Sequence, residues 1–130
     1  IASRFLRPRP ELSRRATREE VQLVHSSELL DNVHTVCTGQ SGENFAGYRV
    51  FSDTFEAVYV NEHSERCALL AAGSAIELVD AVYLGTLDNG FAAIRPPGHH
   101  ASYSESNGYC IYNNVAIAAR HLTENRGAKR

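Results

Sequence analysis

Two adjacent histidines, His99 and His100, are the residues of this chain best suited to proton transfer. They follow Pro96, Pro97 and Gly98, and the two prolines leave the backbone few conformations ahead of the pair. Imidazole changes its charge near neutral pH, so a histidine held in such a loop can act as a general acid or base. We therefore expect the chemistry of this protein at His99 and His100.

Two other interpretations of the histidine pair stay open on residue types alone. Neighbouring side chains on an extended backbone point apart, so both histidines could be ordinary loop residues. Both could also bind a metal ion through their ring nitrogens. However, the chain has no His-Glu-x-x-His motif, and none of its four aspartates forms an Asp-x-His pair. The sequence by itself therefore assigns no metal ligand.

The serines and cysteines near the histidines have plainer interpretations. No Gly-x-Ser-x-Gly motif is present, so the three nearby serines predict a flexible polar loop; they are Ser102, Ser104 and Ser106. Cys110 lies between Tyr109 and Ile111, an apolar setting that favours a small packed residue over a nucleophile. With Cys37 and Cys67 the cysteine count is odd and lacks a Cys-x-x-Cys pair, which indicates reduced thiols in a cytosolic or nuclear compartment.

Composition points to one soluble globular domain. The chain has 130 residues, 43% of them hydrophobic and 22% charged, with a formal net charge of -2. This near-neutral balance predicts no direct binding to nucleic acid. No apolar run approaches the roughly 20 residues that span a bilayer, and the N-terminus lacks the apolar core of a signal peptide. We therefore expect no membrane partner and a cytoplasmic or nuclear location.

The first half of the chain predicts a basic segment followed by helices. Residues 1–16 combine arginines with Pro8 and Pro10 and are predicted to be extended or disordered. Thr17 and Glu20 have the spacing of a capping box that begins a first helix. Residues 25–28 predict a break and a second N-cap, before a helix with apolar residues at helical spacing: Leu29, Leu30, Val33 and Val36.

The middle of the chain predicts a loop, a weak extended segment and a long helix. Three glycines among polar residues predict a loop over 38–52, and residues 51–60 favour an extended conformation. A regular helix is predicted from Ser64 to Leu84, ended by Gly85. Its small residues, including Gly73, predict close packing against a neighbour along one face: Cys67, Leu70, Ala71, Ser74, Ala75, Leu78 and Val82.

The last part of the chain places the histidines in an α/β arrangement. Residues 91–94 form a short apolar run typical of a buried parallel strand, and the histidines follow where that strand ends. Open α/β sheets build their active sites at that edge. A helix is predicted from about Asn113 to Thr123. Helix, strand, long loop and helix in this order indicate an α/β fold.

Residues 95–101, Arg-Pro-Pro-Gly-His-His-Ala, and residues 108–120, Gly-Tyr-Cys-Ile-Tyr-Asn-Asn-Val-Ala-Ile-Ala-Ala-Arg, resemble the signature of the zinc-dependent histone deacetylase family. The resemblance is greatest to class II, and within it to the class IIb, tubulin-deacetylase-like catalytic domains. Weaker similarity runs upstream, so that residues 17–130 resemble the N-terminal portion of such a domain. This implies an arginase/deacetylase-type fold with a parallel sheet flanked by helices, incomplete in this chain.

The resemblance also implies roles for individual residues. His100 would be the general base on a zinc-bound water, and His99 would position that water and stabilise the transition state. Gly108 and Tyr109 would line the channel for the acyl-lysine, with residues 56–57 near its rim. The resemblance implies Zn²⁺ in the full-length enzyme, with ligands that follow the histidines and are not in this chain. We therefore expect this fragment alone to be inactive and to hold no metal.

Three functions fit these expectations. The first is a zinc-dependent lysine deacetylase whose partners are the acetylated lysines of proteins such as histones or tubulin. The second is a truncated, non-catalytic interaction module. The third is a polyamine-type or acetoin-type deacetylase of the same fold. The first and third share the histidines and differ in substrate, whereas the second needs no chemistry at all.

Overall fold

The computed structural model describes residues 8–39, 44–45, 48–50 and 59–129. A short 3-10 helix, Pro10–Leu12, opens these ranges. The elements that follow are α1 (Arg18–Gln22), α2 (Ser27–Thr38), β1 (Asn44–Phe45), β2 (Tyr48–Val50), β3 (Tyr59–Val60), α3 (Ser64–Tyr83) and α4 (Asn114–Asn125). Among the described residues, no helix combines the length and apolar character needed to cross a membrane.

The two predicted N-terminal helices are confirmed, together with their caps. The Thr17 hydroxyl accepts the Glu20 N–H at 3.3 Å, and the Glu20 carboxylate accepts the Thr17 N–H at 2.8 Å. This is the reciprocal capping box that the sequence predicts. In α2, the Ser26 hydroxyl accepts the Leu29 N–H at 3.2 Å, and the helix ends at Gly39. The break at residues 25–26 therefore separates two independently capped helices.

The described part of the N-terminal segment differs from the expected extended or disordered tail. Ala16 is buried, and its N–H donates to the Leu69 carbonyl at 2.8 Å. The Arg14 guanidinium pairs with the carboxylates of Glu20 and Glu77. These pairs hold the pKa of Glu20 below its usual range, chiefly through the Arg14 hydrogen bonds. Residues 8–16 therefore pack on α3, while residues 1–7 lie outside the described residues.

The strands that the structure describes are antiparallel, and the parallel sheet implied by the family resemblance stays a prediction. β2 pairs with β1 on one side and with β3 on the other, both antiparallel. The predicted loop over 38–52 is wrong where β1 and β2 form. The extended segment predicted over 51–60 is described only at β3. Nothing can be compared at 51–58, which lie outside the described residues.

The predicted strand at residues 91–94 is not formed in the described structure. This run makes no ladder with any described strand, and Phe91 is 82% exposed. It lines a cavity of about 860 Å³ together with Leu70, Ser74 and Leu78 of α3. An apolar run becomes a strand only where a neighbouring strand meets its backbone hydrogen-bonding groups, and no described element does so here.

The long helix α3 is confirmed, but its buried face is rotated from the predicted one. Ala71 and Ala75 are buried as predicted, whereas Cys67, Leu70 and Val82 are exposed. The buried side instead consists of Ala68, Ala71, Ala72, Gly73, Ala75, Ile76, Asp80 and Ala81. The small residues on this side allow segment 14–16 and α4 to approach closely, so residue size rather than hydrophobicity sets the buried face.

A charged cluster joins the end of α3 to the end of α4. The buried Asp80 carboxylate accepts from Arg126 Nη2 at 2.6 Å and Nε at 3.0 Å, and His121 Nε2 lies 3.1 Å from it. The Arg126 hydrogen bonds, supported by His121, hold the pKa of Asp80 below its usual range despite the opposing effect of burial. The helix pair therefore depends on an ionised Asp80.

We predict that Asp80→Ala lowers the free energy of unfolding by about 3 kcal/mol, the lower end for breaking a buried pair, because Arg126 keeps contact with water. Asp88→Ala, the same change at an exposed position, is the control and should have little effect. Because the pKa of Asp80 is lowered by folding, its stabilisation is full above about pH 4 and is lost as pH falls further. Urea denaturation at several pH values measures both, and equal losses for the two variants would contradict the prediction.

Candidate functional site

The histidine loop, residues 95–113, connects the end of the α3 region to α4 and carries both candidate histidines. His99 and His100 are exposed, and their ring centroids lie 4.3 Å apart at an interplanar angle of 59°. The two rings therefore lie side by side rather than pointing apart. A substrate or a water molecule can reach both imidazoles at once.

The loop is closed at its base by a backbone contact that only glycine allows. A Cβ on Gly98 would lie 2.3 Å from the Tyr112 carbonyl oxygen and 2.6 Å from the Asn114 nitrogen. The buried Asn114 side chain also donates from Nδ2 to the Pro96 carbonyl at 3.1 Å. These contacts bind the two ends of the histidine loop to each other immediately before His99.

A tight turn at residues 107–110 places Gly108 against His100. The Cys110 N–H donates to the Asn107 carbonyl at 2.9 Å, and the Asn107 N–H donates to the Cys110 carbonyl at 3.1 Å. Gly108 and Tyr109 have φ of 52° and 57°, as the two central residues of a type I′ turn require. A Cβ on Gly108 would lie 2.8 Å from Cδ2 of His100. The structure thus brings two predicted site residues, Gly108 and His100, into contact.

Tyr109 lies beside this contact and is 64% exposed. A non-glycine residue with a left-handed backbone costs about 1–2 kcal/mol, and such strain is concentrated at functional sites. The turn leaves the aromatic side chain on the surface. The role of Tyr109 as a wall of a substrate channel stays a prediction.

The other residues considered as nucleophiles do not join the histidines. Cys110 is fully buried, as the packed-residue interpretation requires. Ser106 is also buried and its hydroxyl donates to the Ile111 carbonyl at 3.0 Å, so it is not part of a flexible polar loop. Ser102 and Ser104 are exposed. The chemistry that the described loop offers therefore lies with the two imidazoles.

His25 is a contact of the histidine loop that the sequence does not reveal. It is 1% exposed, and its Nε2 accepts the N–H of Asn113 at 2.9 Å. The next residue, Ser26, donates its N–H to the Tyr103 carbonyl at 2.9 Å. Residues 25 and 113 are far apart in the chain, so no local pattern predicts this contact. The sequence shows residues 25–28 only as a helix break.

Burial sets the charge of His25. Removal from water lowers the pKa of the ring, and this effect exceeds the opposing influence of the Ser102 and Tyr103 carbonyls, which raise it. The ring is therefore neutral near pH 7. Because Nε2 accepts a hydrogen bond, the single ring proton is on Nδ1. Nδ1 has no hydrogen-bond partner within normal geometry.

The described residues do not fit a zinc site. Within these ranges, no group of three or more His, Cys, Asp and Glu side chains could hold a metal ion. The pair His99 and His100 lacks a third described ligand of this kind. The segment at residues 56–57, expected near the channel rim, lies outside the described residues. It stays a prediction that the zinc ligands are residues other than those of this chain.

Comparison with known proteins identifies relatives over almost the whole chain. Residues 4–130 match the histone deacetylase domain. The chain is 42% identical over 118 residues to human polyamine deacetylase HDAC10, covering 91% of this chain and 17% of that protein. It is 44% identical over 112 residues to histone deacetylase clr3 of Schizosaccharomyces pombe, covering 86% and 16%. It is 43% identical over 122 residues to histone deacetylase 15 of Arabidopsis thaliana, covering 93% and 20%.

A solved structure confirms the similarity of the fold. The crystal structure of the HDA15 HD domain superposes with a TM-score of 0.75 at 39% sequence identity. The match covers 91% of this chain and 30% of that chain. This chain therefore has the fold of one part of a deacetylase domain, and it spans a fifth or less of the length of these three curated relatives.

We predict that Gly108→Ala displaces the His100 ring, because the added methyl group would overlap it. Gly127→Ala is a matched control: Gly127 also has a positive φ, of 69°, but a Cβ there meets nothing within 4 Å. Both variants should carry a similar backbone strain of about 1–2 kcal/mol. Only Gly108→Ala should shift the Hδ2–Cδ2 NMR signal of His100. An unchanged signal in that variant would show that the predicted contact is absent.

Proposed function

We propose a function from one premise: the chain belongs to the histone deacetylase domain family. Its relatives are deacetylases, and we propose that the complete protein containing this chain hydrolyses N-acetyl-lysine on proteins such as histones or tubulin. This chain would contribute the N-terminal portion of the catalytic domain. Because it spans only part of its relatives, the activity is proposed for the complete protein, in the cytoplasm or the nucleus.

The observation that carries this proposal is the exposed pair of imidazoles on a loop fixed at its base. Gly98 and Asn114 hold the loop, and Gly108 contacts the ring of His100. A general base must be held within hydrogen-bond reach of the proton that it accepts, and a loop with these contacts restricts where the ring can lie.

In the proposed reaction, a water oxygen forms a bond to the acetyl carbonyl carbon, and the amide C–N bond breaks. His100 accepts the proton that the water loses and later delivers it to the departing lysine nitrogen, so that acetic acid and a free amine are formed, which at neutral pH are present as acetate and the protonated amine. His99, whose ring is 4.3 Å away, hydrogen-bonds the water and the developing oxyanion. Tyr109 and Gly108 form part of the wall that directs the acyl-lysine to these rings.

The family resemblance implies zinc as the cofactor. The described residues supply no ligand set for it. When bound, zinc supplies a Lewis acid for the carbonyl and the water. Since the described residues do not form a ligand set, we propose that residues outside them hold the ion. Neither His99 nor His100 needs to bind zinc to perform the role that we propose for it.

We also propose that residues 91–94 form a parallel strand in the complete domain. Two features support this: the run is apolar, and with α3 it lines a cavity of about 860 Å³. The matched HD domain is more than three times as long as the part this chain covers, so further strands have a place in the domain. A neighbouring strand there would satisfy the backbone of 91–94 and cover the exposed ring of Phe91.

Polyamine deacetylation is the second candidate function, and the similarity of this chain to polyamine deacetylases supports it. Proteins named polyamine deacetylase HDAC10, from rat, mouse, human and zebrafish, are 41–44% identical to this chain. The described residues of the loop contact the acyl end of a substrate in either case. The choice between a protein lysine and a polyamine therefore depends on groups farther from the histidines.

We predict that the complete protein deacetylates acetyl-lysine peptides from histone and tubulin with a higher kcat/KM than N-acetylated polyamines. A substrate panel with acetate release as the readout measures this, and His100→Ala is the control that assigns turnover to this site. A preference for the polyamines would favour the second candidate. Absence of turnover on every substrate by zinc-loaded protein would favour the non-catalytic interaction module.

We predict that His100→Ala lowers kcat by about 10²–10⁴-fold, the usual contribution of general acid–base catalysis, while the zinc content is unchanged. His99→Ala should lower kcat less, because the proton acceptor remains. Steady-state kinetics with metal analysis of each variant tests this division of roles. Loss of zinc in step with activity would identify His100 as a ligand, and full activity would remove its assigned role.

Tyr109→Ala provides the comparison within the same turn. Removing the aromatic wall should raise KM for acetyl-lysine peptides more than it lowers kcat, because Tyr109 binds the substrate and moves no proton. A fall in kcat as large as that of His100→Ala would contradict the assignment of Tyr109 to the channel.

A further inference from the structure

The buried His25 ring is the polar group whose contacts the proposed reaction leaves unexplained. A buried position is normally filled by an apolar side chain, as at the equally buried Val21 of α1 and Leu29 of α2. The imidazole instead brings Nδ1 into the core without a hydrogen bond of normal geometry, although the Ser102 and Tyr103 carbonyls are close enough to raise the pKa of the ring. A buried polar atom without a good hydrogen bond is unfavourable. Another property of the ring must therefore be in use at this position.

That property is the acceptor at Nε2. It receives the N–H of Asn113 at 2.9 Å, while the ring lies tilted against Tyr112 with centroids 5.7 Å apart. Asn113 is the N-cap of α4, where its Oδ1 accepts the Ala116 N–H at 3.1 Å. An apolar side chain at residue 25 would leave the Asn113 N–H without this acceptor.

Asn113 connects His25 to the catalytic pair. Its Nδ2 donates to the carbonyl of Ala101 at 3.4 Å, and Ala101 directly follows His100. Next to His25, Ser26 donates its N–H to the Tyr103 carbonyl, two residues farther along the same loop. His25 and Ser26 thus hold the histidine loop at two points. His25 binds Asn113 through its side chain, and Ser26 binds Tyr103 through the backbone.

We propose that His25 is a positioning residue for the deacetylase reaction: its Nε2 fixes Asn113 and thereby the Ala101 end of the histidine pair. The inference rests on the proposed function for its catalytic consequence, and on the contacts above for its geometry. His25 touches no substrate. It acts through Asn113, so its loss moves the rings of His99 and His100 relative to the acyl carbon without removing either.

The substitutions His25→Gln, His25→Asn and His25→Leu separate the acceptor from the bulk of the ring. Glutamine can place a carbonyl oxygen near the position of Nε2, asparagine reaches only to the position of Nδ1, and leucine has no acceptor. In the complete protein we expect Leu and Asn to lower kcat by about 10²-fold, as misplacement of catalytic groups by about 1 Å can do, with KM changed less than threefold. Gln should restore kcat to within threefold of the wild type.

Val33→Ala is the control for simple loss of stability. Val33 is fully buried in α2, and its truncation lowers Tm by removing packed volume. It should leave kcat of the folded enzyme unchanged. If the His25 variants lose activity only in proportion to Tm, as Val33→Ala does, or if Gln behaves as Leu does, then His25 is a core residue and the proposal is wrong.

Hydrogen–deuterium exchange of residues 99–113 gives a readout that does not require turnover. Exchange of the Asn113 region should be faster in the Leu and Asn variants and should return to the wild-type rate in Gln. If the wild type deacetylates nothing but this exchange pattern holds, the proposed function fails and the placement of the loop by His25 stands. If the enzyme is active and exchange is the same in all variants, the proposed function stands and the role of His25 is overturned.

Discussion

The described part of the site depends on the backbone contact between Gly98 and residues 112–114. Two stretches of main chain lie so close there that a single methyl group on residue 98 would overlap carbonyl and amide atoms. Such a contact restricts both stretches together, because protein interiors are packed as densely as organic crystals and have no space for a local shift. The histidines begin at the next residue, so their position is set by main-chain packing before any side chain contributes.

Three further groups hold the same loop through hydrogen bonds. The Asn114 amide binds the Pro96 carbonyl, the His25 ring binds the Asn113 N–H, and the Ser26 N–H binds the Tyr103 carbonyl. The first two reach the loop from α4 and from the break between α1 and α2. The fixed position of the imidazoles therefore depends both on α4, which directly follows the loop, and on the break at residues 25–26, which is distant in sequence.

The helices behind the loop are joined by charge as well as by packing. Small residues allow α3 and α4 to approach, and Asp80 then pairs with Arg126 and His121 at their ends. Arg14 also holds the N-terminal segment against the helices, through Glu20 of α1 and Glu77 of α3. The apolar run at 91–94 lines a cavity instead of packing against another element. No described strand hydrogen-bonds to its backbone. The helices thus support the histidine loop on one side, and the apolar run with its cavity lies beside them.

Residue types and local spacing were sufficient to predict the features that rest on short-range contacts. The capping box at Thr17, the break before α2, the extent of α3, the start of α4 near Asn113 and the histidine pair are all local patterns, since each rests on bonds between residues a few positions apart. The motif around the histidines was enough to identify the family. Only the tertiary structure decided which face of α3 is buried, that residues 8–16 pack instead of forming a tail, and that 91–94 lacks a strand partner among the described residues. It also showed that His25 supports the loop. These features depend on contacts between residues many tens of positions apart, whose free energy is set by how closely two surfaces approach and whether their polar groups find partners, and no local pattern in the chain records that.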